Sequence, residues 1–175
     1  MDLKDYIRSI KDYPKKGILF RDITTLIKNE KAFKRCIDQI VDRTKTFKVD
    51  KIAAVESRGF VFASAVSYIL NKPFILLRKK NKLPAEVHSV DFELEYGTAT
   101  IEVHKDSISK NEKILIVDDL IATGGTADAA AKLVEMSGGK VAGFIFVINL
   151  FDLDGEKTLK DKGYFVESIM KFPGH

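Results

Sequence analysis

A single cysteine among 175 residues, Cys36, excludes an intrachain disulfide, so no covalent cross-link supports the fold. Cys36 sits within an amphipathic stretch and is expected to be a small core filler. No apolar run approaches the ~20 residues that span a bilayer. The opening Met1, Asp2, Leu3, Lys4 and Asp5 has no basic-then-apolar leader pattern. These absences predict a cytoplasmic protein with no membrane partner. His88, His104 and His175 are not spaced as metal ligands, and no cysteine cluster accompanies them. His88 and His104 are expected to be solvated or hydrogen-bonded. Repeats and low-complexity linkers are lacking too. Neither a helix-turn-helix segment nor an aromatic–basic platform is visible, so no nucleic-acid partner is expected. The net charge of +4 and pI near 9.0 instead favour small anionic ligands.

What is present is an ordinary globular composition, with 45% hydrophobic residues and a mean hydropathy of −0.07. One domain covering residues 1–175 is the natural expectation at this length. Its most informative stretch is residues 113–139. Ile114, Leu115, Ile116 and Val117 form a β-branched run without alternation, as in a strand buried on both faces. Asp118 and Asp119 follow at its end, then Ala122, Thr123, Gly124, Gly125 and Thr126, then a helical stretch that stops at Gly138 and Gly139. Glycines at such a turn let the backbone approach a ligand and aim successive N–H groups into one hollow. The helix that follows presents unpartnered amides and the positive end of its dipole to an anion. No lysine completes a Walker motif, and no Gly-x-Gly-x-x-Gly follows a strand, so neither a nucleoside triphosphate loop nor a dinucleotide fingerprint is present. A terminal monophosphate fits the turn, and the two carboxylates suit neutral hydroxyls or action through a cation. A phosphorylated ribose has both.

Elsewhere the chain alternates strand and helix. Residues 1–12 read as a short amphipathic helix and residues 14–22 as a loop or short strand. Asn29 is a plausible N-cap for a helix with Phe33, Ile37, Ile40, Val41, Thr44 and Phe47 on one face. Residues 51–55 read as a strand, 60–70 as a buried helix, 74–77 as a strand, 141–150 as a strand, 155–162 as a short helix and 164–170 as a last strand. This predicts an α/β fold: a doubly wound, mostly parallel sheet with helices on both faces. Residues 83–108 break the rhythm. Phe92, Leu94 and Tyr96 alternate with charged residues, as do Ile101 and Val103, which predicts an antiparallel flap turning around Tyr96 and Gly97.

In a doubly wound sheet, ligands bind outside the carboxyl ends of the strands. Three strand ends then meet at one rim. The first brings Glu56, Ser57, Arg58 and Gly59; the second Arg78, Lys79 and, farther out, Lys82; the third the acidic pair and phosphate turn. The basic residues could hold a second polyanion opposite the monophosphate, although Arg78, Lys79 and Lys80 also suit a solvated loop.

Val117 to Thr126, taken residue by residue as Val-Asp-Asp-Leu-Ile-Ala-Thr-Gly-Gly-Thr, resembles the phosphoribosyl-pyrophosphate motif of type I phosphoribosyltransferases. Gly-Ile-Leu-Phe-Arg-Asp at 17–22, Glu-Ser-Arg-Gly-Phe at 56–60, Lys-Leu-Pro at 82–84, Leu-Glu-Tyr-Gly at 94–97 and the ending Phe-Pro-Gly-His are similar to the adenine-using branch of that family. The resemblance implies transfer of a phosphoribosyl group to adenine, giving AMP and pyrophosphate, with Mg2+ carried by the substrate rather than held in a protein cage. It implies that Ala122, Thr123, Gly124, Gly125 and Thr126 bind the 5′-phosphate and that Asp118 and Asp119 face the ribose hydroxyls. Glu56, Ser57, Arg58, Arg78, Lys79 and Lys82 would take the pyrophosphate, with a cis peptide between Glu56 and Ser57. Leu19, Phe20, Arg21 and Leu120 would form the adenine pocket, within an N-terminal hood of about residues 1–28. Glu95 would be the catalytic carboxylate and Tyr96 a lid on the flap, residues 83–108. A homodimer is implied as well. The residues leave open that residues 18–20 are a plain core strand, that another purine base is used, and that the site serves a nucleic-acid-binding regulator.

Overall fold

The computed structural model describes residues 1–94 and 96–175. In chain order the elements are β1 (Arg8–Lys11), β2 (Leu19–Asp22), α1 (Thr24–Ile27), α2 (Glu30–Thr44), β3 (Lys51–Val55), α3 (Arg58–Leu70), β4 (Phe74–Lys79), β5 (Val87–Glu93), β6 (Thr98–His104), β7 (Lys113–Ile121), α4 (Gly125–Met136), β8 (Lys140–Leu150), α5 (Gly155–Asp161) and β9 (Val166–Phe172). Seven strands form one sheet in the order β5-β6-β4-β3-β7-β8-β9, and β1 pairs with β2 in a separate antiparallel ribbon. The β4-β3-β7-β8-β9 block is parallel throughout.

Alternation along the central strands divides the core in two. Ile114, Ile116, Phe144 and Phe146 face α4 and α5, whereas Leu115, Val117, Ile145 and Val147 face α1, α2 and α3. On α4, Ala129, Ala130 and Ala131 are buried, and their small side chains let the helix axis lie close to the sheet. On α2, the Asn29 side chain accepts from the Ala32 amide at 2.9 Å, the N-cap bond expected from the sequence. Cys36 is fully buried in that helix, and burial pushes its thiol up to about 12, so it is a packing residue and not a nucleophile.

Four expectations need correction. Residues 1–12 are not a helix: Leu3–Tyr6 is a single 3₁₀ turn capped by Asp2, and Arg8–Lys11 is a strand. A helix that short does not repay its nucleation cost, and pairing of Ile10 with Phe20 supplies backbone partners instead. The helix read as buried between 60 and 70 begins at Arg58 and is bare along one side, with Tyr68 88% and Ile69 51% exposed. The acidic pair does not follow β7 but lies within it, because β8 is long enough to keep pairing as far as Ile121 with Asn149. The flap strands β5 and β6 are antiparallel as expected, yet β6 also pairs with β4, Arg78 opposite Glu102, so the flap base extends the main sheet.

Candidate active site

The carboxyl ends of β3, β4 and β7 open into a cleft of about 460 Å³. Its far wall is the turn from β7 into α4. Gly124 has φ +94°, a left-handed conformation that a side chain disfavours, and it stands at the helix N-cap with no side-chain capping bond. The first intrahelical bond runs from the Asp128 amide to the Gly124 carbonyl at 2.9 Å. The amides of Gly125, Thr126 and Ala127 therefore precede the helix ladder and are available to an anion in the cleft. Thr123 and Thr126 line the same hollow.

The turn is backed by a segment that sequence reasoning missed. Gly155, at the start of α5, donates its N–H to the Ala122 carbonyl at 3.1 Å. A Cβ on Gly124 would lie 3.3 Å from the Gly155 Cα and carbonyl oxygen. Conversely, a Cβ on Gly155 would collide with the Ala122 carbonyl oxygen and stand 2.8 Å from Ile121 Cγ1 and 3.0 Å from the Gly124 nitrogen. Two glycine backbones are thus packed face to face, and the cradle's curvature depends on both.

On the near side, Arg58 Nε contacts Asp119 Oδ2 at 2.6 Å. The Asp119 charge outweighs the burial cost and holds this guanidinium firmly protonated. Asp118 Oδ1 accepts from the Asp119 amide at 2.8 Å. Burial first, and the negative neighbour Asp119 second, push the Asp118 carboxyl well above the usual carboxylate range. Gly59 gives Asp118 its room: a Cβ there would stand 2.7 Å from Asp118 Oδ1. The two carboxylates, adjacent in sequence, are therefore electrostatically unlike. One is paired with a cation; the other is pressed toward its neutral form.

Glu56 and Ser57 also line the cleft, and the peptide between them is cis, as the resemblance implied. The Glu56 carboxylate accepts from the Lys79 amide at 2.7 Å and from Arg78 Nε at 3.2 Å. Burial raises its pKa, but these donors more than offset that and leave it below its ordinary value. Glu56 thus locks the ends of β3 and β4 together. Lys79 reaches the cleft, whereas Arg78, held by Glu56, and the exposed Lys82 stand outside its lining.

Leu120 lines the cleft, while Leu19, Phe20 and Arg21 sit beyond its rim in the β1–β2 ribbon. Phe20 connects the two regions, its ring 5.9 Å from the Arg58 guanidinium and 5.1 Å from the Tyr13 ring. Residues 18–20 are half-exposed ribbon, not a core strand. Arg21 points away from the cleft: Nη2 donates to the Pro173 carbonyl at 3.0 Å, Nη1 to Ser9 Oγ at 2.5 Å, and the guanidinium lies 4.7 Å from the Phe172 ring. Tyr96 is 73% exposed, with Lys15 Nζ 3.9 Å from its ring, so flap tip and hood meet. Glu95 lies outside the described residues. Phe92, Glu93 and Leu94, at the end of β5, also face the cleft, and the Glu93 carbonyl is 4.0 Å from where a Cβ of Gly125 would be.

A family model described as "Phosphoribosyl transferase domain" matches residues 22–173. The chain belongs to the phosphoribosyltransferase family. It is 75% identical over 175 residues, all of both chains, to adenine phosphoribosyltransferase of Pelagibacter ubique, and 52% identical to that of Chlorobium limicola over 99% of each. Among solved structures, the adenine phosphoribosyltransferase of Thermoanaerobacter pseudethanolicus superposes with a TM-score of 0.93 at 48% identity, over 97% of this chain and 98% of that one. The phosphoribosyltransferase sheet order, with its antiparallel extension, agrees with the α/β class read from the sequence.

Gly155 and Phe92 were the phosphoribosyltransferase residues least accessible to sequence reasoning. The Asp154–Gly155 pair signals a helix start, but its contact with Ala122 joins positions 33 residues apart, and no local pattern records that. The alternation around Phe92 gives strand identity but not which face lines the cleft.

Proposed function

We infer that the chain transfers the 5-phosphoribosyl group from phosphoribosyl pyrophosphate to adenine, forming AMP and pyrophosphate, as a purine salvage enzyme. The observation that carries this reading is the juxtaposition of a helix-capped glycine cradle with a paired and an unpaired carboxylate on one strand. Ala122, Thr123, Gly124, Gly125 and Thr126 hold the 5′-phosphate through backbone amides and hydroxyls. Asp119, in contact with Arg58, and Asp118 accept from the ribose hydroxyls. Arg58 keeps its Nη groups for the pyrophosphate, joined by Ser57, Lys79 and, from farther out, Arg78 and Lys82. Glu56 acts by positioning Arg78 and the Lys79 backbone.

Adenine lies between Leu120 and Phe20, read by the backbone of Leu19 and Arg21. The C1′–oxygen bond to pyrophosphate breaks as an adenine ring nitrogen bonds to C1′, and the positive charge that develops on the ribose is stabilised by the surrounding oxygens. Adenine gives up one imidazole-ring proton in the process, and Glu95 is the carboxylate proposed to take it, with Tyr96 as the lid that excludes water. Among the described residues, no three His, Cys, Asp or Glu groups converge on a metal position. Asp118 and Asp119 are the residues that would face a Mg2+ ion carried in with the substrate, and the ion would supply positive charge to the leaving pyrophosphate.

We also assign the chain to a cytoplasmic homodimer. Support for the second copy comes from Val61, Tyr68 and Ile69 on α3 and Leu76 on adjoining β4, a run of exposed apolar side chains that a partner would cover. No described helix is long and apolar enough to cross a membrane.

Incubation with phosphoribosyl pyrophosphate, Mg2+ and each purine base in turn tests the reading: AMP should form from adenine, with no nucleotide from hypoxanthine, guanine or xanthine. Glu95→Gln should lower kcat by about 10²–10⁴-fold, the usual contribution of a positioned acid–base group, while phosphoribosyl pyrophosphate binding stays near normal. Near-normal turnover in that variant would remove Glu95 from the mechanism. Arg21→Gln should raise KM for adenine several-fold with kcat little changed, because it loosens the ribbon from Pro173 and Phe172 without touching the cleft. Steady-state kinetics at saturating phosphoribosyl pyrophosphate separates the two.

A further inference from the structure

A second cavity, of about 630 Å³, opens at the opposite end of the sheet, at the amino ends of β7 and β8. It is walled by Phe47, from the loop after α2, and by Tyr164 and Phe165, which precede β9. Phe165 is 71% exposed, and its ring lies 6.4 Å from that of Phe47 in an edge-to-face arrangement. Lysines rim the cavity. Lys113 and Lys140 are register partners on neighbouring parallel strands, so two like charges stand side by side, an arrangement that costs stability unless something neutralises it. Lys48 adds a third ammonium from the loop carrying Phe47.

Nearby carboxylates do not supply the neutralisation. Asp50 accepts from the Lys113 backbone amide at 2.8 Å, and Glu112 pairs with Lys51 at 3.0 Å. Glu167, at the rim, faces Arg43 at 3.9 Å, while the fourth rim lysine, Lys160, is held by Glu156 at 2.9 Å. Among the described residues, none of Lys48, Lys113 and Lys140 has a carboxylate within ion-pair distance. An apolar, aromatic-walled hollow with a few convergent charges of one sign is the usual make-up of a small-molecule site.

We propose that this cavity binds a small anion carrying a flat apolar group, of the class of a nucleotide, with its ring against Phe47 and Phe165 and its anionic end on Lys113 and Lys140. The site is separate from the catalytic cleft, at the other end of the same central strands, and does not depend on the reaction assigned to that cleft. Lys113 and Lys140 are also the first residues of β7 and β8, so the occupant would brace the edge from which the acidic strand starts.

The probe is 1-anilinonaphthalene-8-sulfonate, an aromatic anion whose fluorescence rises on binding, titrated into the full chain. A single class of site is expected, with Kd raised at least tenfold in Lys113→Gln/Lys140→Gln and in Phe165→Ala, and unchanged in the cleft variant Thr123→Ala. ATP should displace the probe at much lower concentration than inorganic phosphate, because phosphate lacks the ring. Both cavity variants should keep wild-type AMP formation. Without ligand, the double lysine variant should melt no lower than wild type, since it removes a repulsion; this also shows that it folds. No binding, binding lost in Thr123→Ala and kept in the cavity variants, or equal displacement by phosphate and ATP would each overturn the proposal.

Discussion

Gly155→Ala should cost the enzyme most of its phosphoribosyl pyrophosphate binding even though Gly155 does not line the cleft. The added methyl has nowhere to go. It would collide with the Ala122 carbonyl oxygen, and it would stand 2.8 Å from Ile121 Cγ1 and 3.0 Å from the Gly124 nitrogen. Two of those three are backbone atoms of the phosphate turn, so relief requires the turn itself to move. The shift would break the 3.1 Å bond from the Gly155 amide to Ala122 and tilt the Gly124 and Gly125 amides off their common target. Overpacking of this kind costs about 1–3 kcal/mol in stability. Misaiming one or two charge-assisted bonds to phosphate costs a further ~1.5–3 kcal/mol each in binding, roughly tenfold to a hundredfold per bond. The expected result is a KM for phosphoribosyl pyrophosphate raised at least tenfold, with a smaller rise for adenine, and a melting temperature lowered by several degrees. Steady-state kinetics with each substrate varied, set beside a thermal melt, reads both effects. A variant with unchanged KM would mean that the α5 start does not support the cradle.

The distinction between the cradle and its support also marks what the sequence could disclose. Gly124, Gly125 and Thr126 were legible because the requirements they meet are local: a left-handed residue, a free helix start and hydroxyls within one turn. The β7 run was legible because burial on both faces removes alternation, and the residues from Ile114 to Val117 contain no polar residue. Its true length was not, since Asp118 and Asp119 look like a strand end until β8 is seen pairing beyond them. The N-terminal ribbon was misread for a related reason. Leu3, Ile7 and Ile10 have a spacing compatible with a helix, but the partner that makes Arg8–Lys11 a strand arrives only at Leu19–Asp22. Tyr68 and Ile69 misled in the other direction. Apolar composition predicts burial within the chain, whereas on α3 it leaves a bare face. For β7 and the ribbon, local chemistry was readable, and the error came from a partner distant in sequence.

The two carboxylates of β7 should respond to the same substitution with opposite changes in stability. Asp119→Asn removes the charge that Arg58 contacts at 2.6 Å, leaving the largely exposed guanidinium without its partner. A hydrogen bond to a charged group is worth about 1.5–3 kcal/mol, and the solvent exposure of Arg58 places this one at the lower end. Asp118→Asn does the reverse at neutral pH. Burial and the adjacent Asp119 raise the folded-state pKa of Asp118, so the folded protein binds that proton more tightly than the unfolded chain. The stabilising contribution of this proton is complete below the unfolded value of about 3.9 and is lost as pH climbs from there through the raised folded value. At pH 7.5 the wild type therefore carries an electrostatic penalty that an amide does not. Asparagine also keeps an oxygen for the Asp119 amide, which Asp118 now serves at 2.8 Å. The Asp118→Asn protein should melt above wild type at pH 7.5, with the gap closing toward pH 4, while Asp119→Asn melts below wild type at pH 7.5. Turnover should fall in both, by roughly tenfold or more, if each carboxyl serves the ribose hydroxyls as proposed, since each variant loses an acceptor oxygen there. A parallel loss of melting temperature in the two variants would show that Asp118 is held ionised by groups other than those around it here, and a parallel retention of full activity would remove both residues from the ribose site.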